Sequence, residues 1–449
     1  MVRGSFRSQR GMTLIELLIA LFVGILVFLA LYGLVDTSNK LTKQQTQVAD
    51  VQQSARIGVS ELSRIIRQSR VGGLSFANAV LPIANNGSLL ANADLVSYSG
   101  IPMTDLSGAS RSVRPGTDVI EVRGVIFGDK YVLDEGNAVC SGSCDITTEI
   151  TVTIPWKAAL GFVNFPNGGS PSLADKNGSF YFVVQNGENQ QITVGGRTYL
   201  LPIYVAGLVN ATGGKCTLSN TTWCTLTTST FSFKMNPQDA GAQKLNATIC
   251  SGHPCATSLG KSVGGGAVDV VRFFVDDRGD THPSLAEAIW DPSVGRWDVQ
   301  TLIEEVEDFQ IAYGVDGIDG TIHDGGVSPA TVDESGGNKD EWVGNVAGEV
   351  TGSLPISVLD ANHGGVDAFI DTSIPLAAQT PANPALRSVW ISLVVKSPDP
   401  DLVFDGPGAR GIKILDSSAA SFSASTGRPY RRRPLSLAVS LRNNAFFNK

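Results

Sequence analysis

The chain has 449 residues, of which 42 % are hydrophobic and 17 % charged, with a formal net charge of −8. Loss of the three N-terminal arginines Arg3, Arg7 and Arg10 would leave −11, a balance that excludes nucleic-acid binding driven by long-range charge. With four histidines, none near a convincing nucleophile pattern, the composition gives no support to a hydrolase, and neither enzyme chemistry nor a cofactor is expected.

The basic segment Met1 to Gly11 runs into an apolar stretch, Met12 to Val35, whose 24 residues span about 36 Å as a helix, enough to cross a bilayer core. Three arginines before the stretch outweigh the flanking charge after it, where Lys40 and Lys43 follow Asp36, so the N-terminus is expected in the cytoplasm and the bulk of the chain outside it. No small-x-small cleavage site closes the apolar run, which ends in Leu34-Val35-Asp36. Glu16 is the one charged side chain between Arg10 and Asp36, and a lone carboxylate in hydrocarbon costs several kcal/mol unless a partner compensates it.

The junction Gly11-Met12-Thr13-Leu14-Ile15-Glu16-Leu17-Leu18 resembles the prepilin signal of type IV pilins and type II secretion pseudopilins. The resemblance implies that a membrane prepilin peptidase cuts between Gly11 and Met12 and methylates the new amine of Met12. It also implies that Glu16 is a docking group, able to pair with the N-terminal ammonium of a neighbouring subunit during assembly. The alternative is an ordinary signal anchor with a chance Glu near its cytoplasmic end.

Beyond Val35 the apolar residues Leu41, Val48, Val51, Ala55, Val59, Leu62 and Ile66 keep helical spacing, and no Pro interrupts Met12 to Arg70. One helix is expected, apolar over residues 12–35 and amphipathic over 36–73, stopped by Gly72-Gly73. Gly24 and Gly33 either loosen it or let neighbouring helices approach. After Gly73 the composition turns to Gly, Ser, Thr, Asn and Val with short apolar runs, which reads as β-rich. Expected strands are Asp118 to Val125, Glu149 to Ile154, Phe180 to Val184, Tyr199 to Val209, Thr225 to Phe233, Val268 to Val275, Val389 to Val395 and Leu435 to Leu441. Val306, Phe309, Ile311 and Tyr313 are expected on a strand with one buried face. The size of this region suggests two parts, residues 74–266 and 267–449, divided near Gly264-Gly265-Gly266.

Six cysteines form three local pairs, Cys140 with Cys144, Cys216 with Cys224 and Cys250 with Cys255, which fit loop-stapling disulfides outside the cytoplasm better than a zinc site lacking a matching His pair. Ser258-x-x-Lys261 and Gly260-Lys261-Ser262 imitate fragments of catalytic and phosphate-loop motifs without their companions. Two acidic loops, Asp276-Asp277-Arg278-Gly279-Asp280 and the run holding Asp316, Asp319 and Asp324, are weak calcium candidates, and Asx-turn chemistry is favoured for both.

Further along, Leu302 to Asp316, Trp390 to Ser397 and Tyr430 to Asn443, together with Arg64-Ile65-Ile66-Arg67, resemble the PilW family of minor pilins. The resemblance implies an α+β, type IV pilin-like fold, with the long helix packed on an antiparallel sheet and an enlarged β-rich domain. It implies a minor pilin that joins other minor pilins and the major pilin, and in some settings a large tip adhesin, in priming or capping the filament. The protein would start in the inner membrane with its globular domain periplasmic, then reach the pilus tip. A type II secretion pseudopilin similar to the J component is the nearest alternative, and a pilus-tip adhesin or ligand-binding module carried by residues 74–266, where the resemblance does not extend, is another. Arg431, Arg432 and Arg433 read as a solvated edge strand.

Overall fold

The computed structural model describes residues 13–69, 80–85, 88–89, 103–127, 131–132, 138–140, 149–155, 163–164, 172–173, 179–194, 197–210, 224–227, 230–235, 262–277, 282–291, 296–316, 342–343, 385–397, 414–415 and 432–440. The chain divides between Gln53 and Ser54 into two compact units. One helix, Leu14–Gln68, supplies nearly all the described residues of the first unit and opens the second.

Over Leu17 to Val35 the helix is apolar all round apart from the Tyr32 hydroxyl, and Leu14, Phe28 and Tyr32 are at least three-quarters exposed. By length and composition Leu14–Lys43 can cross a membrane, the one such helix among the described residues. Past Val35 the surface turns polar without breaking the helix. Lys40 pairs with Asp36 at 2.7 Å, and the hydroxyls of Thr37, Thr42 and Thr46 donate to the carbonyls four residues back at 2.8–3.0 Å.

In the second unit the helix buries Ala55, Gly58, Leu62, Ile65 and Ile66, while Val59 is half-buried and Leu41, in the first unit, is exposed. The expected stripe therefore holds only in part. Gly58 shows why: a Cβ there would overlap the Ile303 side chain, so the helix meets the sheet through a missing side chain rather than through an apolar one. The helix ends at Gln68, where the Ser69 N–H donates to the Ile66 carbonyl at 3.1 Å. A Cβ on Gly124 would lie 2.7 Å from the carbonyl oxygens of Gln68 and Ser69, so this sheet glycine makes room for the helix end. Gly72 and Gly73, the expected stop, lie outside the described residues.

The sheet beside that helix end has six strands in the order Arg296–Glu304, Ser284–Asp291, Asp269–Asp276, Val119–Gly124, Val80–Asn85, Ser88–Leu89, all antiparallel. A second antiparallel sheet orders Trp342–Val343, Val306–Asp316, Ala385–Lys396 and Arg432–Ser440. Two more four-stranded sheets arise from the middle of the chain. One orders Arg197–Asn210, Ser179–Val194, Ser262–Ala267 and Tyr131–Val132; the other orders Cys224–Leu226, Thr230–Met235, Ile150–Pro155 and Ala138–Cys140. Gly264, Gly265 and Gly266 lie inside a strand, and Val119–Gly124, from before them, is hydrogen-bonded to Asp269–Asp276, from after them.

Two strand expectations need correction. Thr225 to Phe233 is a hairpin, because Thr227 turns the chain: its Oγ accepts from the Thr230 N–H at 2.8 Å and its own N–H donates to the Thr230 carbonyl at 2.8 Å. The strand Val306–Asp316 is buried on both faces from Asp308 to Gly314, not one. It is an interior strand in which the buried Gln310 Nε2 donates to the Gly116 carbonyl at 2.8 Å and to Asp308 Oδ1 at 2.6 Å.

The six-stranded sheet carries a buried charge cluster. Glu121 accepts from Arg123 Nε and Arg272 Nε at 2.6 Å each, all three residues being at most 3 % exposed. Arg272 also lies 4.5 Å from the Trp297 ring centroid, and Trp297 packs edge-on against Trp290. On the face toward the helix, Glu287 lacks such partners. Burial, followed by repulsion from Glu61, pushes its carboxyl from the ordinary 4.5 up to about 7, with Arg64 opposing.

Glu121→Ala strands two buried guanidinium groups and should lower stability by about 3–5 kcal/mol, read as a fall in midpoint during denaturant unfolding. A midpoint unchanged from wild type would show that the cluster contributes nothing. For Glu287 the folded carboxyl holds its proton more tightly than the unfolded one, so its contribution is present below about pH 4.5 and is lost as pH rises through 7. Glu287→Gln should therefore raise stability by ~1–3 kcal/mol at pH 8, have little effect at pH 4, and flatten the melting temperature between.

Candidate functional site at the head of the helix

Thr13 and Glu16 close the first turn of the helix reciprocally. Glu16 Oε2 accepts from the Thr13 backbone N–H and hydroxyl, each at 3.0 Å, while the Glu16 N–H points back to Thr13 Oγ at 3.4 Å. This is a capping box: the Thr-x-x-Glu spacing places an N-cap hydroxyl and a carboxylate where each satisfies an otherwise orphaned donor. The negative group also sits at the positive end of the helix dipole. The pattern was present in the sequence as Thr13 to Glu16, and the sequence reading passed over it because it treated Glu16 as a lone charge.

The cap satisfies lone pairs without neutralising the charge. Among the described residues Glu16 has no ion-pair partner, and its surroundings Leu14, Ile15, Leu17 and Leu18 are all more than half exposed. The head is thus an anionic, hydrogen-bonded group on an apolar helix. Gly11 and Met12 lie outside the described residues.

The other candidate residues do not assemble into a second centre. Cys224 is buried opposite Phe233 and is disulfide-bonded. Cys140 ends a strand opposite Ile150, while Cys144, Cys216, Cys250 and Cys255 lie outside the described residues. Asp316 ends a strand opposite Ala385, and Asp319 and Asp324 lie outside. No group of three or more metal-ligating side chains occurs among the described residues. In the first acidic loop, Asp276 is buried and bound to Arg111 at 2.8 Å, so it anchors a loop rather than waiting for a cation. Arg111 also grips Asp105 at 2.7 Å. The Asp105 carboxyl falls to about 2, chiefly through the Ser107 hydroxyl, with help from Arg111 and the Ala109 N–H. Of the basic triplet, Arg432 forms a fork with Glu307, Arg433 is exposed, and Arg431 lies outside the described residues.

Comparison with known proteins supplies two matches. Residues 6–32 match the prokaryotic N-terminal methylation motif, which brackets the capped head, and residues 272–443 match the type IV pilus-assembly protein W family. No curated protein and no solved structure matches the chain. Over these two segments the chain is similar to a type IV pilus-related pilin with a prepilin signal, and the families matched are structural components rather than enzymes. Within that class it is PilW-like, with the matched segment running from Arg272 in the six-stranded sheet through the whole second sheet.

Thr13→Ala keeps the carboxylate but removes the hydroxyl cap, which should loosen the first turn by about 0.5–2 kcal/mol. The expected sign is faster amide exchange over residues 14–17 of the detergent-solubilised protein, with Gly24 and beyond unchanged. Equal exchange in both proteins would show that the cap does not hold the head.

Proposed function

We propose that the chain is a minor pilin of the type IV pilus that helps to initiate filament assembly or to form its tip. Prepilin peptidase cuts between Gly11 and Met12 on the cytoplasmic side of the inner membrane and the new N-terminus on Met12 is methylated. The β-rich body stands in the periplasm, and the apolar half of the helix passes from lipid into the filament core, where exposed Leu, Ile and Phe side chains exchange lipid for neighbouring helices. The amphipathic turns pack on the six-stranded sheet in the manner of a pilin, and the cysteines close as Cys140 with Cys144, Cys216 with Cys224 and Cys250 with Cys255. Partners are the peptidase, the other minor pilins, the major pilin and a large tip adhesin.

The observation that carries the reading is the capped but unneutralised Glu16 at the end of an otherwise uncharged apolar helix. An uncompensated carboxylate entering a helical bundle loses several kcal/mol, and the methylated ammonium of a neighbour restores it. Charge, not the cap, is then what assembly needs.

Intact-mass and N-terminal analysis should give a chain starting at N-methylated Met12 in cells with prepilin peptidase and at Met1 in cells without it. Glu16→Gln preserves a hydrogen-bond acceptor for the Thr13 cap but removes the charge; it should leave processing intact and lower surface pili by roughly tenfold or more. An uncleaved N-terminus in peptidase-positive cells, or normal piliation in Glu16→Gln, would refute the reading.

A further inference from the structure

The second unit contains a groove of about 650 Å³ between the helix and the strand Arg432–Ser440. One wall is the helix face bearing Arg56, Glu61, Arg64 and Arg67; the other is Leu435 to Leu437. Among the described lining residues three guanidinium groups stand with one carboxylate, and Arg64 is tied to Glu61 at 2.9 Å and to Gln68 at 2.9 Å. Arg56 is exposed, and Leu435 and Leu437 are only half-buried, so the floor is apolar and the rim basic.

The strand forming that wall is an edge. Among the described residues it pairs on one side only, with Ala385–Lys396 from Ser388↔Ser440 to Lys396↔Arg432. Pro434, opposite Val394, has no N–H to give, and a strand accommodates proline where that position points out of the ladder. By alternation, the N–H and C=O groups of Ser436, Ala438 and Ser440 also point outward, and these three residues are exposed. Protein edges left open are normally blunted, and among the described residues the protection of this one is a single proline at one end.

We propose that this edge and groove dock an extended, acidic segment of a different pilus subunit, which adds as a strand beside Arg432–Ser440 and directs alternate Asp or Glu side chains toward Arg56 and Arg67. Main-chain hydrogen bonds hold the segment and the period-two placement of its carboxylates selects it. A second copy of this chain is disfavoured because edge-to-edge docking would bring two arginine-lined grooves together. The inference rests on the pilin reading, since it assigns the partner to the same filament.

The test uses the full-length protein in piliated cells, with the photoreactive residue benzoylphenylalanine replacing Ser436 and, separately, Ile25 in the apolar half of the helix. The expected result is a crosslink from position 436 to an Asp- or Glu-containing extended segment of another pilin. Ala438→Pro, which removes an outward N–H and leaves the inner ladder intact, should reduce it about tenfold, as should the pair Arg56→Glu and Arg67→Glu. Crosslinks to pilins from position 25 but none from 436 would overturn the docking site and leave the pilin reading standing. Crosslinks from 436 to lipid, or to a second copy of this chain, would also overturn it. Absence of pilin crosslinks from both positions would overturn both.

Discussion

The helix Leu14–Gln68 changes solvent partway along its length, and most of the molecule's design follows from that change. From Leu17 to Val35 its side chains are apolar on every side apart from the Tyr32 hydroxyl, and the described residues leave them exposed, a surface suited to lipid or to a bundle of like helices. From Ser54 onward the same backbone becomes part of a water-soluble core, burying one face through Ala55, Gly58, Leu62, Ile65 and Ile66. The close approach at Gly58 and Gly124 matters because it lets backbone, rather than long side chains, set the spacing between helix and sheet.

Charge is handled differently at the two ends of this helix. At the head, Glu16 is relieved only by hydrogen bonds from Thr13, which leaves a net charge in apolar surroundings. At the foot, Glu61, Arg64 and Gln68 bind one another along the helix surface, and the Arg64 guanidinium also lies 5.9 Å from the Phe127 ring centroid.

The helix was readable from the sequence because its signals are local: apolar composition, helical spacing and the absence of proline all act within a few residues. The strands Val119–Gly124, Ile150–Pro155, Asp269–Asp276, Ala385–Lys396 and Arg432–Ser440 were legible for the same reason. Ser284–Asp291 and Arg296–Glu304 were not, since SLAEAIWD and RWDVQTLIE carry Ala, Glu, Gln and Asp that fit a strand only once a neighbouring strand supplies hydrogen bonds. Nor could the hairpin at Thr227 be seen, because a run of threonines favours extended structure until one hydroxyl finds the backbone three residues on. At the head, Glu16 was found through its charge and its cap was missed, although Thr13 stood at the right spacing.

The matched segment that begins at Arg272 is not physically self-sufficient in this chain. Arg272 is nearly fully buried, and its Nε donates to Glu121, which lies outside the match; the strand carrying Glu121 in turn pairs with Val80–Asn85. Asp118, next to that strand, accepts the Ile311 N–H at 2.8 Å and donates its own N–H to the Phe309 carbonyl at 2.8 Å, joining the first sheet to the middle of the second. The early strands are therefore core, and the region between helix and matched segment combines two roles. Its beginning completes the sheet that the matched segment needs, while the sheets containing Ser179–Val194 and Ile150–Pro155 are built from the remainder of that region, with only Ser262–Ala267 returning toward the core through its continuation into Asp269–Asp276. The middle region enters and leaves through adjacent strands of one sheet, Val119–Gly124 and Asp269–Asp276, whose regular pairing is compatible with a long connection and with the intact buried cluster at Glu121.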